Sequence, residues 1–312
     1  METVHTLDTV EYGFMGTEDY HTISTDPDYL YPTDPPLEVS SVESIIIINV
    51  LMNIIYILGL SGNGNVICLL HFHCKRNHFM TYILNLTKAD FGVLVALFLI
   101  GINNMLEGFI WKSSIYEHYH STVCEHFTLT YNTGQFLWTV ISVDGCVSVL
   151  FPIWYWCHHP THLSTALCAF IWVISFFSLE STEHMYPFNI SVLFCLPLMT
   201  VSTLILFFKV CFKSNQQKRG KVLTAILLAL LFYLILAFPF TCIFFINGFL
   251  ETSHINGAEL SNVVLSCASL SSSINPLIYF LVGRRKRVRS RESMKIILQR
   301  VFKEEEEPRE QL

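Results

Sequence analysis

Charge is what this sequence has least of: 14% of its 312 residues are Asp, Glu, Lys or Arg, against roughly 25% in an ordinary soluble domain. A positive mean hydropathy of +0.47 accompanies the shortage, and together they exclude a soluble globular chain. Internal repeats are also missing, which argues against a transporter built from paired halves with matching broken helices. The first 44 residues contain no Lys, no Arg and no Asn. That segment therefore offers no N-linked glycan site and no apolar run resembling a cleaved signal peptide. Metal-ligand spacing is absent as well. His158, His159 and His162 cluster on one connection without a second ligand set, and solvated loop histidines explain them better than a metallohydrolase does.

Long, nearly charge-free runs are abundant. A hydrocarbon core of about 30 Å needs roughly 20 apolar residues of helix, and seven windows meet that length: Ile45 to Phe72, Met80 to Asn103, Thr122 to Val149, Leu163 to Ser181, Asn189 to Phe212, Val222 to Leu250 and Ala258 to Val282. The expected fold is an all-α membrane protein, a seven-transmembrane helix bundle over residues 45–282, with a tail on each side. Short loops rich in Lys and Arg stay cytoplasmic, and 17 of the 19 basic residues fall on one side of this arrangement. The carboxyl end is then cytoplasmic, the amino end extracellular, and the first span acts as the insertion signal of a multi-pass plasma-membrane protein. With the basic residues explained by topology, no nucleic-acid partner is expected.

Ten cysteines invite a disulfide framework, but only Cys124 sits near the outer surface of this topology, so no outer disulfide is expected. The others are small apolar fillers, with Cys74, Cys157 and Cys211 open to palmitoylation. Residues 1–44 hold ten carboxylates and four prolines, a composition that cannot bury enough apolar surface to fold alone. This acidic segment, with Tyr12, Tyr20 and Tyr29 next to acids and Tyr31 three residues from Asp28 and Asp34, is either a simple solvated tail or an electrostatic lure for a basic peptide. In residues 283–312, six basic residues between Arg284 and Arg291 precede Met294, Ile297, Leu298 and Val301 at helical spacing. They read as a short amphipathic cytoplasmic helix lying on membrane lipids.

Polar groups at hydrocarbon depth are functional hypotheses by default. Asn63 and Asp90 lie about 14 to 15 Å from the inner ends of spans one and two, and Asn275 about 10 Å from that of span seven. The trio serves either as a hydrogen-bond network or as a site for water or a sodium ion at Asp90. Lys88 is about 200° around the helix from Asp90, so it cannot pair with it and instead snorkels to the inner headgroups. Pro197, Pro239 and Pro276 read as interior hinges of spans five, six and seven, each removing a backbone donor. The serines Ser271, Ser272 and Ser273 stand ready beside Pro276.

The run Asn275, Pro276, Leu277, Ile278, Tyr279, with Asp90 closing Leu86, Thr87, Lys88, Ala89, Asp90 and the Gly62, Asn63 step, resembles the rhodopsin-like receptor pattern. Tyr131 to Gly134, Ile141 to Val143, Leu150 to Tyr155 and Tyr279 to Gly283 are similar to the Mas and Mas-related receptors. The resemblance covers roughly residues 50 to 305. It implies an activation network of Asn63, Asp90, Asp144, Gly145, Asn275, Pro276 and Tyr279, and a hinge at Pro239. It also implies ligand contacts among Glu180, Glu183, Tyr131 and Phe238, a peptide or small basic ligand, and a heterotrimeric G protein as partner. No organic cofactor and no catalytic residue are implied. Ala237 stands where many rhodopsin-like receptors carry a bulky aromatic, as is also the pattern in Mas-related receptors.

Two departures stand out. Where the family has an acid, Arg, and Tyr or Cys at the inner end of span three, this chain has Asp144, Gly145, Cys146. Only about seven residues separate spans four and five. The missing arginine leaves Asp144 to pair with His158 or His159, and it opens a second functional reading: a receptor-shaped binding module, scavenger or receptor partner with weak coupling. The topology has a direct check. An epitope inserted after Met1 is expected to stain on intact cells, and staining that needs permeabilisation would reverse the orientation.

Overall fold

The computed structural model describes residues 39–72, 78–106, 114–158, 160, 162–179, 194–212, 221–236, 242–243 and 257–283. Among the described residues the regular elements are helical: α1 (Val39–Phe72), α2 (His78–Leu106), α3 (Ser114–Leu150), α4 (Pro152–His158), α5 (Leu163–Phe177), α6 (Leu196–Phe212), α7 (Lys221–Leu236) and α8 (Gly257–Gly283). Four of them contain segments long and apolar enough to cross a membrane: Ile46–Phe72, His78–Met105, His118–Leu150 and Asn262–Val282. Three shorter apolar helices, Leu163–Phe177, Leu196–Val210 and Leu223–Leu236, complete the set.

Several boundaries differ from the sequence expectation. The first helix starts at Val39, so the end of the acidic segment is already helical. The third begins at Ser114, about two turns before the expected Thr122, because a search for apolar runs stops at the polar stretch Tyr116 to Ser121 although nothing in it breaks a helix. The helix expected to reach Ser181 ends at Phe177, where the Ser178 N–H closes on the Ile174 carbonyl at 2.9 Å. Pro197 is the second residue of α6, just after a π-helical turn at 194–195. It therefore stands at a π-to-α junction close to the first described residues of this span. The short helix α4 was not expected. It starts at Pro152, whose fixed φ suits a first helical position and whose missing N–H is harmless there.

Packing joins the helices in a closed circuit of contacts that passes through α3. Helix α1 lies between α2 and α8, α2 also touches α3 and α5, α3 meets α5, α6 and α7, and α7 leads back to α8. One buried apolar layer draws on all seven long helices, through residues such as Leu69, Leu86, Ile141, Ile171, Met199, Leu230 and Tyr279. A second layer, toward the Leu106 end of α2, joins Tyr56, Leu97, Phe127 and Leu265. Large side chains such as Ile57, Phe170, Val201 and Ile235 point outward, as expected of helices whose solvent is lipid.

Close approach of α1 to α8 depends on two glycines. A Cβ at Gly59 would collide with Ser273 Oγ and stand 2.8 Å from Leu94 Cδ1, and one at Gly62 would stand 3.1 Å from Pro276 Cβ. At Gly64 a Cβ would meet only Phe91 Cε2 at 3.8 Å, an ordinary contact. Gly59→Val is therefore expected to lower the thermal midpoint of the purified protein by the equivalent of about 1–3 kcal/mol of overpacking. Gly64→Ala should stay within about 1 kcal/mol of the parent. Equal midpoints for the two variants would remove the packing argument.

Candidate functional site

Pro276 lies inside α8 and has no N–H to give the carbonyl four residues earlier, which is that of Ser272. That carbonyl is not left bare. Asn63 Nδ2 on α1 donates to it at 3.0 Å while also reaching the Gly59 carbonyl at 3.0 Å. The close approach that Gly59 and Gly62 permit thus brings an amide to the one α8 carbonyl that the proline has orphaned. One residue before the proline, Asn275 Nδ2 donates to Asp90 Oδ2 on α2 at 2.7 Å. The side chain of Ser272 faces the same carboxyl, so Ser272 serves both partners, through its carbonyl and through its hydroxyl. All four residues are buried. The trio expected from depth alone is brought together, and Ser272 is the member that depth could not reveal. Tyr279, 1% exposed, sits one turn further along α8 in the apolar layer.

The second site residue pair lies at the far end of α3. Asp144 is half-buried and accepts a hydrogen bond from the Tyr155 hydroxyl, Oδ2 to Oη 2.8 Å. Eleven residues of unbroken helix would span about 16 Å, too far for this bond. The chain must turn at Phe151 and Pro152, and α4 carries Tyr155 back. Tyr155 is thus one partner of Asp144; the side chains of His158 and His159, the partners expected from the sequence, lie outside the described residues. Tyr155 was present in the sequence, but its role depends on a turn that only Pro152 announces. Gly145 is buried, and a Cβ there would make ordinary contact with Leu206 Cδ2 of α6 at 3.6 Å and Leu223 Cδ1 of α7 at 3.8 Å. The position opens toward the junction of α3, α6 and α7.

Deeper in the bundle, the Tyr233 hydroxyl of α7 donates to Gln135 Oε1 of α3, and the Tyr233 ring stacks on Trp138 at 6.0 Å between centroids. This α3–α7 tie was missed by sequence reasoning; a glutamine inside an apolar run was the available signal. Tyr131, a ligand-contact candidate, is 9% exposed and stacked on Phe127 at 5.5 Å. Trp172 of α5 donates through its indole N–H to Asn85 Oδ1 of α2 at 3.3 Å. Glu180, Glu183, Phe238, Pro239 and the amphipathic segment after Gly283 lie outside the described residues. Among the described residues, no group of three or more His, Cys, Asp and Glu side chains could hold a metal ion.

Comparison with known proteins places these features in a family. The mouse (Mus musculus) proto-oncogene Mas is 34% identical over 274 residues, covering 81% of this chain and 83% of its own length. The rat (Rattus norvegicus) Mas-related G-protein coupled receptor member H is 34% identical over 268 residues, 79% of this chain and 80% of its own. The mouse Mas-related G-protein coupled receptor member A8 is 32% identical over 305 residues, 88% and 95% respectively. No family model matches the chain. Identity at this level over four fifths of the sequence defines a membrane receptor and not an enzyme. The chain belongs to the Mas and Mas-related G-protein-coupled receptors.

Removing the amide that covers the Ser272 carbonyl should be costly, since an unsatisfied buried polar group costs about 1–3 kcal/mol. Asn63→Ala is expected to lower the thermal midpoint by that equivalent. Asn65→Ala serves as the control: its amide is exposed and bonds only the Ser61 carbonyl of its own helix at 2.9 Å, so a shift within about 0.5 kcal/mol is expected. If both variants melt alike, the amide does not compensate for the proline.

Proposed function

We propose that this chain is a cell-surface receptor that crosses the plasma membrane seven times, amino end outside and carboxyl end in the cytosol. It converts binding of an extracellular peptide or small basic molecule into activation of a heterotrimeric G protein. The observation that carries this reading is the link from α1 through Ser272 to Asn275 and Asp90 at a proline break in α8. Three helices meet there through bonds that a shift of α8 would exchange for others. A ligand acts on such an element only through contacts that differ between its two states. Glu180, Glu183, Tyr131 and Phe238 are the proposed ligand contacts, and Pro239 is the proposed hinge below them. The Asp90 carboxyl and the unpartnered, buried Oδ1 of Asn63 are oxygen donors of the kind a sodium ion takes. These residues would hold such an ion between α1 and α2, and its charge would favour ionised Asp90.

A second reading has its own observation. Gly145 supplies no side chain at the junction of α3, α6 and α7, and the Tyr155 hydroxyl occupies Asp144 instead. A receptor of this kind has fewer contacts to offer a G protein in its open state, and it would serve as a binding module, a scavenger or a partner of other receptors. Arginine at this position would enter a space lined by Leu206 and Leu223 and bring a long cation beside Asp144.

A nucleotide-exchange assay on purified protein, with a panel of G proteins and with and without basic peptides, separates the readings. The parent is expected to give weak, ligand-insensitive exchange and Gly145→Arg a larger ligand-dependent response at matched amounts of protein. A parent that already exchanges as fast as the variant would show that the missing arginine does not limit coupling. Peptide binding with no exchange in either form would favour the binding module.

A further inference from the structure

We infer that Lys88 on α2 holds the phosphate of an anionic cytosolic-leaflet lipid seated on the outward face between α1 and α5. The register of α2 fixes where Lys88 looks. Asn85 faces α5 through its bond with Trp172, and Phe91 faces α1 beside Gly64. Residues 85, 88 and 91 advance in steps of about 300°, so Lys88 stands midway between these two directions and is exposed. Its charge also reaches the α5 side, where it acts on the buried thiol of Cys168.

Among the described residues of the flanking helices, no carboxylate is available on this face. Helix α1 beyond Glu43 and all of α5 contain no Asp or Glu. The one acid of α2, Asp90, is buried on Asn275 and lies about 200° away around the helix. Lys88 is ten residues from His78, about 15 Å along the axis and closer to that end than to Leu106. Side chains lean toward the N-terminus of their helix, so the ammonium is carried toward the membrane surface at the His78 end. A cation at this depth is costly alone, and the group it meets on the way out is a lipid phosphate. The occupant is a lipid and not a free phosphate, because α5 turns Phe170, Val173 and Phe177 outward, a surface for acyl chains.

The inference rests on the membrane topology proposed above and is independent of coupling. Full-length protein is reconstituted in nanodiscs of phosphatidylcholine containing phosphatidylserine, extracted, and its retained lipids are counted by native mass spectrometry. The parent and Lys88→Arg are expected to retain phosphatidylserine over phosphatidylcholine about fivefold more strongly than Lys88→Gln, the preference one Lys near an anionic surface supplies. The comparison is repeated with the six basic residues between Arg284 and Arg291 changed to Gln, so that the tail cannot supply the signal. Equal retention by the parent and Lys88→Gln would overturn the proposal, and so would displacement of the lipid by millimolar inorganic phosphate. Nanodiscs present the lipid on both leaflets, so a reversed orientation in the epitope experiment would leave this readout unchanged and correct only the leaflet.

Discussion

An unmet backbone carbonyl in hydrocarbon has no water to turn to, and the arrangement of α1, α2 and α8 follows from how one such carbonyl is met. Pro276 frees the Ser272 oxygen, and Asn63 covers it from a helix that two glycines allow to come close. Asn275 and the Ser272 side chain then face Asp90. Glycine, amide, proline and carboxyl are thus one constraint spread over three helices. The proline is tolerable because the amide is there, and the amide is within reach because the glycines lack side chains.

Elsewhere many hydroxyls are satisfied within their own helices, although those of Tyr82, Ser175, Thr203 and Ser273 are buried without a partner among the described residues. Thr87, Thr133, Thr139 and Thr200 each return a bond to the carbonyl four residues back, and Ser142 to the one three back. Such bonds need no neighbour and bend helices slightly. Asn132 on α3 is the contrast: it is 1% exposed, and neither amide atom has a partner among the described residues. Between these extremes stand the ties that fix one helix to another, Trp172 to Asn85 and Tyr233 to Gln135.

Much of this was legible in the sequence because hydrocarbon imposes a strict length and a strict penalty. Apolar runs gave the long helices, and depth alone grouped Asn63, Asp90 and Asn275. What stayed hidden depends on the backbone. The donor to Ser272 is a side chain but the acceptor is a carbonyl, which no residue letter encodes. Tyr155 meets Asp144 because the chain turns at Pro152, and the tyrosine's letter alone does not announce that return. Hydrophobicity also misplaced boundaries: the polar start of α3 read as loop because helices continue into water at no cost in hydropathy.

Helix α2 carries Asp90 in its middle, and the amide that receives it is 185 residues further along the chain. At ribosomal rates of about 5–20 residues per second, roughly 10 to 40 s pass between the synthesis of the two. Through that interval the carboxyl must stay protonated, hold water, or shelter against whatever helices have already arrived. The first helix waits at one point, since Asn63 meets Ser272 only 209 residues later, but only 17% of its apolar window is buried in the finished bundle, so lipid alone suits most of it from the start. The last of the described helices to emerge therefore closes this network, and a nascent chain released before Asn275 would expose to the membrane's surveillance machinery a buried acid with no amide to meet it.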